Sequence, residues 1–236
     1  TKMIVVNNPQ NPSGALFSPK EVEKIMEIAK ERKLIVLVDE IYDNFIYDNA
    51  EFKSFLTDSE WRDYVLYVNG FSKTFSMTGW RLGYLVVKEN VAKKLTRLAV
   101  NIYSCATSFA QKAAVTALKG DWGPVKEMVK LFEKRRDLMA SKLSKVPGFE
   151  VWKSKGAFYM FPRVAKLLNE VGMNVEEFVD YLLNNYYVVV LPGTAFPDKA
   201  GKDYLRFSFA SSFEAIDKGT DRIKEAVENL LASKKR

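Results

Sequence analysis

The feature that most narrows the fold is a set of short apolar runs that alternate with helical patterns. Residues 34–38 form an unbroken run of strand length ending in Asp39-Glu40, and residues 3–6 and 64–68 end likewise in Asn7-Asn8-Pro9 and Asn69-Gly70. Strands apolar on both faces need cover on both faces, the condition met by a mostly parallel sheet in an α/β protein. Between the first two runs, Ser18-Pro19-Lys20-Glu21 reads as a capping box with proline at the first helical position. Val22, Ile25, Met26 and Ala29 give that helix one apolar face. Residues 82–87 are a further strand, reached by a connection too short for a helical crossover and therefore antiparallel to its neighbour.

Helical patterns fill residues 90–119, and Gly120 and Gly123-Pro124 mark a break. Val125, Met128, Val129, Phe132, Met139 and Leu143 then line one face of a long amphipathic helix that stops at Pro147-Gly148. Beyond it the texture changes. Residues 149–152, 157–161, 186–191 and 205–209 read as strands, while Asn174-Val175-Glu176-Glu177 and Ser211-Ser212-Phe213-Glu214 cap helices. The expected division is an α/β half over residues 1–133 and a smaller α+β half over 134–236, with the boundary inside the long helix.

Composition removes whole reaction classes. The 236 residues include no histidine and one cysteine, Cys105. No Ser-His-Asp or Cys-His nucleophile, zincin helix or Cys/His zinc finger can be built from them, so no metal is expected. A single cysteine forms no internal disulfide and suits a reducing, cytoplasmic setting. The net charge of +7 is interspersed, and the only purely basic run is Lys234-Lys235-Arg236. That pattern reads as a solvated surface, and nucleic acid is not an expected partner. The charge-free stretches 3–19 and 181–197 are punctuated by Asn, Pro and Gly, so no membrane span is expected. The chain opens with Thr-Lys and runs into a strand, which does not read as a signal peptide. Chemistry is left to Lys, Arg, Tyr, carboxylates or a cofactor.

Ligands of open α/β sheets bind beyond the carboxyl ends of the strands. The stretches there are residues 7–14, 39–42 and 70–81. Lys73 is the only charge between Asp63 and Arg81 and is flanked by Tyr67, Phe71, Phe75 and Trp80. Desolvation there would lower its pKa and leave an amine able to attack a carbonyl. Bland readings exist for each partner: a cap or loop carboxylate for Asp39, a surface ion pair for Arg81, a half-buried ring for Tyr42. Their shared sheet edge weakens those readings. A lysine, a carboxylate, a phenol and an arginine together complement pyridoxal phosphate, which has an aldehyde, a ring nitrogen, a phenolic oxygen and a phosphate.

Asn8-Pro9-Gln10-Asn11-Pro12-Ser13-Gly14, Asp39-Glu40-Ile41-Tyr42 and Ser72-Lys73-Thr74-Phe75-Ser76-Met77-Thr78-Gly79-Trp80-Arg81-Leu82-Gly83-Tyr84 resemble the class I/II aminotransferases, pyridoxal-phosphate enzymes of fold type I. Arg206-Phe207-Ser208-Phe209-Ala210 resembles the family's later carboxylate motif. Order and spacing agree as well: 28 residues from Asn11 to Asp39, three more to Tyr42, and eight from Lys73 to Arg81. The resemblance spans the chain and points to the branch with aspartate and aromatic aminotransferases.

It implies the C-terminal part of the family's large cofactor domain followed by its small α+β domain. Lys73 would hold the cofactor and shuttle the α-proton, with Tyr42 assisting. Asp39 would pair with the ring nitrogen, Tyr42 and Asn11 with the phenolic oxygen, and Arg81 with the phosphate. Ser72 is a further cofactor contact, and Arg206 and Asn11 would meet the substrate carboxylate. Gly156, Phe158 and Gly193 resemble pocket-wall positions. Homodimers are the family habit, and the substrates would be an amino acid and a 2-oxo acid.

Two departures stand out. Gly70 occupies a position where many relatives have a phosphate-binding serine, and relatives begin their large domain well before the residue matching Thr1. The chain therefore reads as a C-terminal part that, alone, would be a poor or inactive aminotransferase. Alternatives from the same fold are a C–S lyase or decarboxylase, or a non-catalytic sensor domain.

Overall fold

A computed structural model of the chain describes residues 1–234, which leaves the last two positions of the basic run outside the described residues. The chain divides into two compact units, residues 1–10, 15–129 and 155–157 in the first and residues 11–14, 130–154 and 158–236 in the second.

The first unit is built on a four-stranded mixed sheet in the order β1 (Met3–Asn7), β2 (Ile35–Asp39), β3 (Val65–Gly70) and β4 (Gly83–Val86). The first three strands are parallel and the fourth is antiparallel to β3, as the short connection requires. Helix α1 (Pro19–Arg32) joins β1 to β2. Its capping box forms as the sequence indicates: Glu21 N donates to Ser18 Oγ at 3.3 Å, and Ser18 N donates to Glu21 Oε2 at 2.7 Å. Val22, Met26 and Ala29 are its buried face, and they join Val6, Val36, Val38 and Val65 in one core cluster. Removing these side chains from water supplies roughly 1.5–3 kcal/mol for each of the larger ones. A short α2 (Trp61–Tyr64) leads into β3.

After β4, the helical stretch is two helices rather than one, α3 (Glu89–Tyr103) and α4 (Ser108–Lys119). The break falls at Ser104, which takes φ 66° and ψ −79° and cannot continue a right-handed helix. Ala110 and Ala114 of α4 pack with Phe71, Met77 and Leu82, so the segment between β3 and β4 is anchored from both sides of Lys73.

The unit boundary falls inside α5 (Gly123–Leu143), whose Val125 is buried in the first unit and whose Met139 and Leu143 are buried in the second. The second unit holds a three-stranded sheet in the order β5 (Tyr159–Met160), β7 (Leu205–Ser208), β6 (Leu191–Pro192), antiparallel throughout. Around it lie α6 (Ala165–Val171), α7 (Val175–Tyr186), a single turn α8 (Asp198–Gly201) and α9 (Phe213–Lys234). The Asn174–Glu177 capping box forms on α7, and Ser212 Oγ accepts from Ala215 N at 3.1 Å at the start of α9.

Three strand expectations shrink here. Residues 149–152 contribute only a Glu150–Arg163 bridge, and just beyond them the Ser154 carbonyl is taken by Arg136 Nη1 at 2.9 Å instead of a strand partner. Of residues 157–161, only Tyr159 and Met160 pair, since Ala157 adopts φ 55° and turns the chain. Of residues 186–191, Tyr186 closes α7, Tyr187 caps it in the left-handed region, and only Leu191 pairs. Past that cap, exposed Val189 between buried Val188 and Val190 keeps the alternation of an extended chain, but without a ladder.

Arg136 is fully buried in the second unit. Its Nε donates to Asp137 Oδ1 at 2.9 Å, and its Nη1 serves Ser154. A buried guanidinium is tolerated when such partners surround it. Arg136→Met should lower stability by about 2 kcal/mol, chiefly by leaving the Ser154 carbonyl without its donor. Urea denaturation would read this as a lower midpoint at unchanged slope, and an unmoved midpoint would show that the methionine stem alone does the packing.

Candidate active site

The parallel register brings the polar strand ends together in the first unit. Asn7 pairs with Asp39, and Asp39 with Val68. The Asp39 carbonyl accepts from Asn7 Nδ2 at 3.1 Å and from Asn8 N at 3.0 Å, which locks the two ends together. The Asp39 carboxylate accepts from Ile41 N at 3.0 Å, so part of the loop-carboxylate reading holds. Burial pushes its pKa up, while the Ile41 amide and the charge of Lys73 pull it down. Lys73 Nζ lies 5.8 Å from the centroid of the Tyr42 ring, and that ring is 3% exposed. Asp39, Tyr42 and Lys73 thus form one group.

The aromatic residues flanking Lys73 in sequence pack with one another or elsewhere. Phe71 stacks on Phe75 at 5.8 Å, Phe75 meets Trp122, and Trp80 meets Phe109. Ser72 is half-buried in the turn after β3. Arg81 is exposed, adopts φ 52°, and donates from Nη1 to the Thr78 carbonyl at 2.9 Å. At Gly70, an added Cβ would stand 3.0 Å from the Leu82 carbonyl oxygen and 3.1 Å from Gly83 Cα. A serine there needs β4 to give way, so the missing hydroxyl goes with the close Gly70–Gly83 pairing.

Sequence reasoning missed the bracket that holds this group. Asp43 accepts from Asn69 Nδ2 at 2.9 Å and from Asn44 Nδ2 at 2.7 Å. Asn69 Nδ2 also reaches the Tyr67 hydroxyl, its Oδ1 accepts from Gly70 N, and Asn44 Nδ2 reaches Thr74 Oγ1 at 3.3 Å. The segment carrying Tyr42 is thereby tied to the one carrying Lys73. Asn69 was legible only as a turn signal. A polar side chain ending a buried strand was the clue. Burial raises the pKa of Asp43 and of the Tyr67 and Tyr84 phenols.

In the second unit, Arg206 of β7 donates from Nη1 to Asn11 Oδ1 at 3.2 Å. The rings of Tyr159 and Phe196 lie 4.5 and 4.8 Å from its guanidinium carbon, and its Nε is buried without a hydrogen-bond partner. Phe158 stacks on Phe132 at 5.7 Å, and Gly156 lies in the first unit against Pro9. Among the described residues no cluster of metal ligands occurs, and no helix is long and apolar enough to cross a membrane.

The comparisons agree with these motifs. The family model described as aminotransferase class I and II matches residues 1–223. An aspartate aminotransferase of Sulfurisphaera tokodaii is 53% identical over 98% of this chain, and an aromatic-amino-acid aminotransferase of Thermococcus litoralis is 37% identical over 96%. The crystal structure of an aromatic aminotransferase from Pyrococcus horikoshii superposes with a TM-score of 0.91 at 36% identity, over 97% of this chain and 60% of that one. The chain belongs to the class I and II aminotransferase family, and its core is that of a fold type I enzyme. It spans 57% of the length of both curated relatives.

Glu40, beside Asp39, is fully buried; its Oε1 accepts from Phe55 N at 3.0 Å and its Oε2 has no partner. Burial pushes its pKa from 4.5 up to about 7. A carboxyl raised in the folded state stabilises most when protonated, below the unfolded value, and that contribution is lost as pH climbs to the folded value. Glu40→Gln should therefore gain on the wild type by about 3 kcal/mol as pH rises from about 4.5 to about 7. Urea titrations across that window test it. Parallel stability curves would mean that Glu40 titrates normally.

Proposed function

We propose that the protein is a pyridoxal-phosphate-dependent aminotransferase that exchanges an amino group between an amino acid, aspartate or an aromatic one, and a 2-oxo acid. The observation that carries this is the grouping of Asp39, Tyr42 and Lys73 at neighbouring strand ends. The substrate class follows the names of the relatives. A homodimer belongs to the same reading through the family resemblance, and a cytoplasmic setting through the single cysteine, which suits a reducing compartment. The division into the C-terminal part of a cofactor domain, residues 1–133, and a small domain, residues 134–236, rests on the change of pattern along the sequence together with that resemblance.

The residues fit the cofactor. Asp39 is a half-buried carboxylate whose pKa burial has raised, and a protonated ring nitrogen beside it would offset that cost. Lys73 supplies an amine for the aldehyde, Tyr42 and Asn11 supply polar atoms for the phenolic oxygen, and Ser72 a hydroxyl nearby. Arg81 supplies an exposed planar fork for the phosphate. When bound, pyridoxal phosphate provides an electron sink for the pair left on the substrate's α-carbon. Arg206 would hold the α-carboxylate through the guanidinium donors that its hydrogen bond to Asn11 leaves over. By fixing the carboxylate it selects which bond of the α-carbon breaks. Once the substrate's amino group has taken its place at the aldehyde, the released Lys73 Nζ would be the group that carries the α-proton. Tyr42 keeps that amine in place.

Borohydride reduction of the cofactor-loaded protein, followed by peptide mapping, should put the pyridoxyl group on Lys73; a label on another lysine sinks the assignment. Lys73→Ala should lower turnover by several powers of ten, since anchor and proton carrier go together. Asp39→Asn should cost far more turnover than its small volume change suggests, because an amide does not hold a ring nitrogen protonated. Full-rate transamination by that variant would remove Asp39 from the site.

A further inference from the structure

We propose that Tyr159 and Phe196 are positioning residues for Arg206, and that the loop carrying Phe196 thereby sets the affinity for the substrate carboxylate. The inference rests on the reading that Arg206 takes that carboxylate. A guanidinium offers its N–H donors in one plane, and a two-point grip on a carboxylate works only while that plane is held within about 10–20°. The single hydrogen bond from Nη1 to Asn11 leaves rotation about it open. What limits that rotation is the pair of rings, 4.5 and 4.8 Å from the guanidinium carbon. Aromatic faces attract the cation from outside its plane, so they fix it without occupying the in-plane donors. A carboxylate partner would hold the arginine more tightly but would occupy the fork meant for substrate.

Each ring is itself held. Tyr159 sits in β5, in register with Ser208 of the strand that carries Arg206, and its carbonyl accepts from Ser154 Oγ. Phe196 is held by a backbone crossing. Gly193 N donates to the Tyr204 carbonyl at 2.8 Å, and Phe196 N donates to the Gly193 carbonyl at 3.0 Å. A Cβ on Gly193 would come within 2.2 Å of the Gly201 carbonyl oxygen, and one on Gly201 within 2.1 Å of the Gly193 oxygen. Only two glycines allow the loop to close this tightly. Phe161 packs edge-on against Phe196 at 6.3 Å and stacks on Tyr204 at 4.9 Å, which completes the support.

The test compares Tyr159→Leu, Phe196→Leu, Tyr159→Phe and Arg206→Lys in the cofactor-loaded full-length protein, with aspartate and phenylalanine as donors. A second readout, independent of turnover, is the rate at which phenylglyoxal modifies Arg206, followed by peptide mass spectrometry without substrate. Each leucine variant should raise KM roughly tenfold for both donors, the scale of one desolvated cation–π contact, and change kcat less than about twofold. Each should also speed modification of Arg206, because a face of the guanidinium is uncovered. Tyr159→Phe keeps the ring and should match the wild type within about twofold on every measure. If the leucine variants leave KM and the modification rate unchanged while Arg206→Lys raises KM, the clamp is wrong and the carboxylate reading stands. If Arg206→Lys leaves KM unchanged too, that reading falls. A loss in Tyr159→Phe equal to that in Tyr159→Leu overturns the proposal by assigning the effect to the hydroxyl.

Discussion

The pairing of β1 with β2 and of β2 with β3 decides what the first unit can do. Because the three strands run in parallel, their carboxyl ends emerge along one edge, and the register sets Asn7 opposite Asp39 and Asp39 opposite Val68. A slip of one residue would turn every side chain to the other face. It would send Asp39 to the side now held by Val38, which is fully buried. Two hydrogen bonds to the Asp39 carbonyl, from Asn7 and Asn8, add to the ladder where such a slip would start. Placement of the candidate cofactor partner is therefore a property of backbone pairing more than of its own contacts.

The same edge concentrates buried acid. Asp39, Glu40 and Asp43 lie within five residues, and burial raises the pKa of all three. Each is handled differently. Asp43 has two amide donors, Glu40 has one backbone donor and an orphan oxygen, and Asp39 has one backbone donor and a distant lysine charge. Of the three, Asp39 is the most exposed to gain from a cation brought from outside, since its attraction to Lys73 is already part of the balance. Such buried, incompletely compensated charge recurs at functional sites because stability alone would not select it.

Much of this was legible in the residues. Unbroken apolar runs gave the parallel sheet, and the short link before residue 82 gave the antiparallel strand, because both follow from local length and burial. The Ser18 and Asn174 caps were legible for the same reason. The strands of the second unit were not, since a periodicity of two reports an extended chain but not a partner for its backbone. Residues 187–190 alternate in burial but join no strand ladder among the described residues. Site residues that carry their own chemistry, such as Lys73, Asp39 and Arg206, stood out. Asn69 and Asp43 did not, because their role is to hold neighbours, and only the folded arrangement of β3 against the segment after β2 makes it visible.

Three arginines of the second unit show how a guanidinium used for support differs from one whose charge is left uncompensated. Arg136 is fully buried; its donors go to Asp137 and the Ser154 carbonyl, and Glu133 stands 3.6 Å from Nη2 as a second ion-pair partner, so its charge is met internally. Arg135, its neighbour, has a buried Nε without a partner and lies against Phe132 and Phe213. An orphan donor among rings is therefore not enough to define a site. Arg206 shares the orphan Nε and the aromatic neighbours, but it adds a side-chain amide, Asn11, held by its Nη1. A neutral amide orients the guanidinium without cancelling its charge, whereas the carboxylates around Arg136 cancel it. Charge kept uncompensated, plane held by rings and one edge left to satisfy are the conditions under which a partly buried arginine gains more from an incoming carboxylate than the protein loses by keeping it there.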